Sequence, residues 1–471
     1  MSDASGMMTA ATISPTAFPP AARISELAGL HVVVMGLGRF GGGIGVTRYL
    51  VAQGARVTVT DQTDERALAE SIARLSGLPV ELRLGGHTES DLDGAELLVV
   101  SPAVDKRTSA FFQAACRRGL PWTSEMNLFL ERCPARLIGI TGSAGKSTTC
   151  AMLGAILNRA AEAGAGGLGR VWIGGNIGVS LLDELCRMTP ADTVLLELSS
   201  FQLEDAAGLG RSPEVAAITN VAPNHLDRHG TFENYLSAKL NIIRFQRAGD
   251  VAFVRADDGP LLERVRASGA VTRARVALVE REPAGLSLRV PGRHNNRNAA
   301  MAACIATELG IASEFVTAAL AEFVGLPHRL EHVGEFAGVD YYNDSKSTTP
   351  DATLTAVWAF ERPLIVLIGG ADKGLPLEAL AVTLVSRAKA VICFGQARER
   401  LQKAVTGARG NAGTPVIESV SKMASAVERA RELAGCGDVV LLSPACASYD
   451  EFANYEARGR KLAELVGDGP A

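Results

Sequence analysis

The chain has 471 residues, a formal net charge of −4, many glycines and few aromatic side chains. Its length exceeds what one hydrophobic core can serve, and without a long basic stretch it lacks the charge to follow a nucleic-acid backbone. No apolar run is long enough to cross a bilayer, and the cysteines form no CxxC pair, which argues against a zinc ribbon or a thioredoxin-type redox site.

Residues 1–24 are rich in Ala, Ser, Thr, Met and Pro, with no basic start leading into an apolar core. They are expected to form a disordered tail rather than a signal peptide, and the chain to be a cytoplasmic protein with buried, reduced thiols. The next segment opens with His31-Val-Val-Val-Met-Gly36-Leu-Gly38-Arg39-Phe40-Gly41, continues helically to Gln53, and returns as a strand from Ala55 to Thr60 closed by Asp61. Glycines at the first turn and an acid after the second strand make the pattern of a dinucleotide-binding βαβ unit. In it Asp61 either accepts a hydrogen bond from a sugar or base, or caps a turn. A later strand, Leu97-Leu-Val-Val, runs into Ser101-Pro102-Ala103.

The stretch Leu137-Ile-Gly-Ile-Thr-Gly142-Ser143-Ala144-Gly145-Lys146-Ser147-Thr148-Thr149 reads as a strand, a glycine turn and a helix start. Such a turn gathers backbone N–H groups at one spot, the helix N-terminus adds partial positive charge, and Lys146 can reach the outer phosphates of a nucleotide. Ser147 stands where phosphate loops place a hydroxyl on Mg²⁺. The span from glycine to lysine is shorter than the standard loop, which would carry a glycine where this chain has Ile140. ATP is the expected ligand. A following strand, Thr193-Val-Leu-Leu, ends in Glu197, a charge expensive to bury unless Mg²⁺ pairs with it. Another, Ala217-Ile-Thr-Asn220, leads to a polar loop holding His225, on the side of the sheet where ligands gather. Tyr235 and Lys239 share one helix face, and spacing alone makes Lys239 a solvated lysine.

Beyond Pro327-His328-Arg329, strand patterns at Val339–Asn343, Leu364–Gly369, Ala390–Phe394 and Asp438–Leu442 each end in small or charged polar residues. The expected architecture is α/β in three domains: a Rossmann-like N-terminal domain (25–124), a central P-loop ATPase-type domain (125–326) and a Rossmann-like C-terminal domain (327–471).

Four motifs together carry a resemblance: the Thr141–Thr148 loop, Leu196-Glu-Leu-Ser-Ser-Phe-Gln-Leu-Glu204, Asn343-Asp-Ser-Lys346 and Leu442-Ser-Pro-Ala-Cys-Ala-Ser448. With them the sequence resembles the Mur ligases of peptidoglycan synthesis over nearly the whole chain after the tail. The loop and the Glu197 strand are shared with a wider superfamily that includes folylpolyglutamate synthases. The Asn343–Lys346 motif points to the branch that adds D-glutamate to UDP-N-acetylmuramoyl-L-alanine.

The resemblance implies roles residue by residue. Gly142, Ser143, Ala144, Gly145, Lys146, Ser147 and Thr148 would hold the ATP phosphates; Asn295, Asn298, Arg329 and Asp344 match further nucleotide-binding positions. Ser147 and Glu197 would bind one Mg²⁺ and His225 a second, with Lys239 carbamylated so that it too can ligate metal. Arg39, Asp61 and Ser101 belong to the uridine-diphosphate end, and Asn176 and His225 would contact the uridine-linked substrate. Lys346, Thr348, Lys373, Ser448 and Tyr455 would orient glutamate. Arg39-Phe40, Ala103, Tyr455 and Ser347-Thr-Thr349 depart from residues commoner in the family. The implied chemistry is an ATP-dependent ligation by a monomer, through an acyl phosphate attacked by the glutamate amine. The residues themselves do not separate D- from L-glutamate, and another amide ligase of the superfamily is the alternative. Outside it, the rivals are a nicotinamide oxidoreductase, from the first βαβ unit, and a regulatory ATPase.

Overall fold

The computed structural model describes residues 20–39, 41–177, 180–267, 274–280 and 288–467; most of the expected tail, Phe40 and Gly178 lie outside these. Three sheets are present among the described residues. The first contains β1 (His31–Met35), β2 (Arg56–Asp61), β3 (Val80–Leu84), β4 (Leu97–Val100) and β5 (Trp122–Thr123), ordered β3-β2-β1-β4-β5 and all parallel. The second contains β6 (Arg136–Thr141), β7 (Val171–Gly175), β8 (Thr193–Glu197), β9 (Val215–Ile218), β10 (Val251–Arg255) and β11 (Arg275–Val279). It is parallel throughout, in the order β11-β10-β9-β6-β8-β7.

The third sheet contains β12 (Glu331–Phe336), β13 (Val339–Asn343), β14 (Leu364–Gly369), β15 (Ala388–Phe394), β16 (Val416–Ser419) and β17 (Val439–Ala445), ordered β12-β13-β17-β14-β15-β16. Its edge strand β12 is antiparallel to β13, and the remaining pairs are parallel. The strands form where they do because Val, Ile and Leu runs such as Val32–Val34, Leu195-Leu196 and Ile365–Ile368 must be covered on both faces, and helices do the covering. Apolar clusters accordingly lie on both sides of the third sheet: Val366, Leu384 and Leu401 on one face, Ile365, Val427 and Leu462 on the other.

The chain divides into two compact units, one comprising residues 1–281 with 304–311 and the other 282–303 with 312–471. Within the first unit the first two sheets share a continuous core. Val34 and Leu50 from the first sheet region join Leu128 and Phe129, on the helix Glu125–Arg132, and Leu137 and Leu196 of the second. Among the described residues no helix is long and apolar enough to cross a membrane. In each sheet some of the residues singled out from sequence fall at or just beyond the carboxyl ends of strands, Asp61 and Ser101 in the first, Glu197 in the second and Asp344 in the third, where a doubly wound sheet leaves its crevice.

Candidate active site

In the first unit, β6 delivers Thr141 to a turn only glycine can make. Gly142 has φ +152°, and a Cβ there would stand 1.9 Å from Thr219 Oγ1. Gly145 (φ +83°) then caps the helix Lys146–Glu162 without a side-chain acceptor, as a helix start that receives an anion requires. The segment after β9 props the loop from behind. Ser143 N–H donates to the Asn220 carbonyl (2.9 Å), Ala144 N–H to Asn220 Oδ1 (3.0 Å), and Thr219 Oγ1 to the Ala144 carbonyl (2.6 Å). Sequence reasoning gave Thr219 and Asn220 no role; their signal was a polar pair ending an apolar strand beside the phosphate loop.

Two ammonium groups converge on one oxygen. Lys146 Nζ donates to the carbonyls of Gly142 (3.0 Å) and Ser143 (3.4 Å), while Lys239 Nζ donates to Gly142 (2.8 Å) and to Thr141 Oγ1 (3.4 Å). Lys239 is 2 % exposed, so the solvated lysine suggested by its spacing is corrected: the helix Phe232–Arg244 turns that face inward. Burial, reinforced by the Lys146 charge and opposed by Glu197, lowers its pKa to about 7. Tyr235, one turn earlier, ties this helix to the loop through its hydroxyl and Ser143 Oγ (2.9 Å).

Glu197 ends β8 beside β6 and is 2 % exposed. Asn176 clamps it, N–H to the main-chain carbonyl (2.7 Å) and Nδ2 to Oε1 (2.9 Å), but Oε2 is buried without a hydrogen-bond partner. A carboxylate oxygen left so is costly unless a cation faces it. Ser147, half-buried in the first turn of the helix after the loop, offers a hydroxyl, and carboxylate and hydroxyl oxygens are the donor chemistry Mg²⁺ takes, so the residues present fit that ion.

His225 lies exposed at φ +53°, starting the short helix Leu226–His229. Although the residue as a whole is exposed, partial desolvation of its ring, against Asp227 and with Lys146, Lys239 and Arg228, lowers its pKa, which favours the neutral imidazole that can ligate. Its ring meets Phe201 edge-on (5.2 Å), and Phe201 stacks on His229 (5.1 Å, 6°). His229 is a residue the sequence reading passed over. It is buried, its Nε2 bonds Ser200 Oγ (3.0 Å), and burial and nearby cations push its pKa down to about 4.

At the first sheet's crevice Asp61 turns inward. Its Oδ2 accepts the N–H groups of Leu37 (2.8 Å) and Gly38 (3.0 Å), and Oδ1 that of Thr63 (2.8 Å). Burial raises its pKa, but the N–H groups of Gly38, Thr63 and Leu37 prevail and hold it below the usual carboxylate value. The carboxylate thus fixes the glycine turn itself. Around it lies a cleft of about 730 Å³ whose walls include Gly38, Asp61, His87, Ser101 and Phe111, with His87 stacked on Phe111 at 4.9 Å. Gly36 lets Ser101 approach, since a Cβ there would stand 2.9 Å from the Ser101 Cβ. Arg39 is exposed on the same turn.

The second unit holds the other predicted residues. Lys373 Nζ donates to Thr348, to both its carbonyl and its hydroxyl (3.2 Å each); Lys346 Nζ lies 5.7 Å from the Tyr455 ring centre; Ser448 is buried just beyond β17. Asp344, 2 % exposed, accepts from Ser443 Oγ (2.7 Å) and Leu330 N–H (3.3 Å), and burial raises its pKa to about 6. Arg329, whose charge acts on Asp344, keeps a buried Nε without a hydrogen-bond partner. Asn295 and Asn298 are buried and linked (Nδ2 of Asn298 to Oδ1 of Asn295, 3.4 Å).

Comparison with known proteins adds three adjoining matches. Residues 30–123 match the Mur ligase MurD-like N-terminal domain, 140–282 the Mur ligase middle domain, and 328–446 the Mur ligase glutamate ligase domain. A UDP-N-acetylmuramoylalanine--D-glutamate ligase of Roseiflexus sp. is 38% identical, covering 94% of this chain and 99% of its own. One from Anaeromyxobacter dehalogenans is 39% identical, covering 94% and 98%. Among solved structures, the UDP-N-acetylmuramate-alanine ligase MurC of Thermotoga maritima shares the fold at a TM-score of 0.60 and 19% identity, over 94% of this chain and all of that one. MurF ligase of Thermotoga maritima, in complex with ADP, does so at 0.56 and 16%, over 95% and 99%.

Proposed function

The chain belongs to the Mur ligase family, and from that membership we propose that it joins D-glutamate to UDP-N-acetylmuramoyl-L-alanine at the expense of ATP. The observation that supports this most directly is the pairing of a glycine-built phosphate loop with Glu197 Oε2, a buried oxygen without a hydrogen-bond partner at the end of the strand next to β6.

A carboxylate does not yield to an amine at neutral pH, because oxide is a very poor leaving group. Transfer of the γ-phosphoryl group to the alanyl carboxylate gives an acyl phosphate, from which phosphate can leave once the glutamate amine has added. Lys146, freed from the Gly142 carbonyl, would carry its charge to the β- and γ-phosphates, with the loop's N–H groups fixing them in line. Two Mg²⁺ ions, held by Ser147 with Glu197 and by His225 with Lys239, would supply charge neutralisation on the transferring group. Lys239 is suited to carbamylation because a lysine with a pKa lowered to about 7 has a substantial share of neutral amine at physiological pH, the form that attacks carbon dioxide.

Arg39, Asp61 and Ser101 serve the uridine-diphosphate end in this reading, Asn176 and His225 the muramoyl end. Asn295, Asn298, Arg329 and Asp344 serve the nucleotide, and Lys346, Thr348, Lys373, Ser448 and Tyr455 the amino acid. Ionic contacts from Lys346 and Lys373 would hold the glutamate carboxylates and leave its amine to attack. The three-domain division at 25–124, 125–326 and 327–471 follows the same assignment, for a monomer working in the cytoplasm. Phosphate release with UDP-N-acetylmuramoyl-L-alanine, ATP and Mg²⁺, adding D- or L-glutamate in turn, tests it. Release that depends on the D-form supports the reading; no release with either form rejects it.

A further inference from the structure

The helix Tyr455–Gly467 carries Arg458 in its first turn, a side chain with no exposed surface. A wholly buried arginine ordinarily faces a carboxylate. Arg458 faces the backbone instead. Nε donates to Ser345 Oγ (2.9 Å), Nη2 to the carbonyls of Ser345 (2.9 Å) and Cys446 (3.1 Å), and Nη1 to those of Ala447 (3.1 Å) and Gly369 (3.3 Å). These acceptors lie where β13, β14 and β17 release the chain into loops. Only a flat group with divergent N–H bonds can hold oxygens from all three at once.

Each grip adjoins a residue assigned to glutamate. Ser345 precedes Lys346, Ala447 precedes Ser448, and Gly369 begins the segment that reaches Lys373. Tyr455, one turn before Arg458 on the same helix, receives the Ser345 hydroxyl on its carbonyl (2.8 Å). Two of the loops are also laced together, since Ala371 and Ala447 exchange N–H bonds of 2.9 and 3.2 Å. Gly370 passes so close that a Cβ would stand 2.1 Å from the Ala447 carbonyl and 2.9 Å from Arg458 Nη1. Nothing in the chemistry of ligation needs this arginine, and it lies beneath the loops rather than among the groups assigned to touch glutamate.

We propose that Arg458 is a positioning residue for the amino-acid substrate: it sets the spacing of the Lys346, Lys373 and Ser448 loops, and with it the fit of a dicarboxylic amino acid of one hand. The inference rests on the assignment of those residues to glutamate. Two carboxylates and one amine presented by a short chain demand that three loops keep their separations, and a shift of about 1 Å at one of them is enough to spoil the alignment of the amine. A lysine keeps the charge but has too few and too clustered N–H groups to bind the same set of oxygens.

Steady-state kinetics on R458K, R458M and S345A test this in the full-length enzyme. Both Arg458 variants are expected to raise KM for D-glutamate roughly tenfold or more, with KM for ATP and for the UDP substrate within about twofold of wild type. Their preference for D- over L-glutamate falls in parallel. S345A, which removes only the hydroxyl between Arg458 and the Tyr455 carbonyl, moves KM for glutamate less and in the same direction; it decides the matter if the Arg458 variants do not fold. Wild-type KM for glutamate in R458K, or equal rises in KM for all three substrates, overturns the inference. K373A in the same assay separates it from the site assignment. A raised KM there beside an unchanged R458K defeats the Arg458 role alone, whereas an unchanged KM in K373A removes the glutamate site and this role with it.

Discussion

The phosphate loop of the first unit and the strand-end loops of the second are built on opposite electrostatic terms. Around Gly142 the protein leaves a carboxylate oxygen open: Glu197 Oε2 has no hydrogen-bond partner, while the Lys146 and Lys239 side chains share one carbonyl. Around Ser345 a buried guanidinium has its N–H groups met by backbone carbonyls and a serine hydroxyl. The difference teaches what each region is for. Unmatched charge is tolerable where a polyanion and metal complete the site, while a region that must tell one small amino acid from another needs fixed geometry.

The harshest way to break the comparison is K146A. Loss of the one charge aimed at the outer phosphates should lower kcat for ADP formation by about 10³-fold; turnover within tenfold of wild type would defeat the phosphate-loop assignment. E197Q comes next. It should reduce activity by roughly 10²-fold and abolish the rise in Tm that Mg²⁺ with nucleotide gives the wild type. Its Tm without metal should not fall, because an unmatched buried charge has been removed; a marked fall would show that the carboxylate is already satisfied.

Asp344 sharpens the contrast from the other side. Its folded pKa is raised to about 6 from an unfolded value near 3.8. The native state therefore binds more protons than the unfolded state between these values, and the burial penalty grows as pH rises through that window. D344N should thus gain stability relative to wild type on going from pH 4 to pH 7 in paired denaturation curves, and a constant difference would refute the shift. The smallest effect is expected of Y235F, which loses a single hydroxyl bond to Ser143 and should cost about 1 kcal/mol in urea unfolding with only a few-fold change in kcat.

Most interior strands were legible and most edges were not, although β10 inside the second sheet was missed. β1, β6, β8, β14 and β17 have apolar centres because both their faces are buried, and those runs stand out in the sequence. β3, β7, β11, β12 and β16 are edge strands whose alternating or half-exposed residues, such as Glu331–Phe336, give no such run. The site shows the same divide. Residues that offer chemistry at a strand end, Lys146, Glu197 and Lys346, could be found from the strand they follow. Those whose role depends on what surrounds them could not. Lys239 read from its spacing as a solvated lysine and Arg458 gave no signal, because a helical period does not say which face another element covers. Asp61 illustrates a third case: its place was legible, but not that its carboxylate would also hold the glycine turn after β1.

Lys146, resting on the carbonyls of Gly142 and Ser143, is a placeholder in its own binding site. Turning that ammonium outward onto an anion costs two hydrogen bonds to carbonyls. A chain of linked phosphates, contacting the loop's N–H groups as well, offsets that cost more fully than a single small anion does.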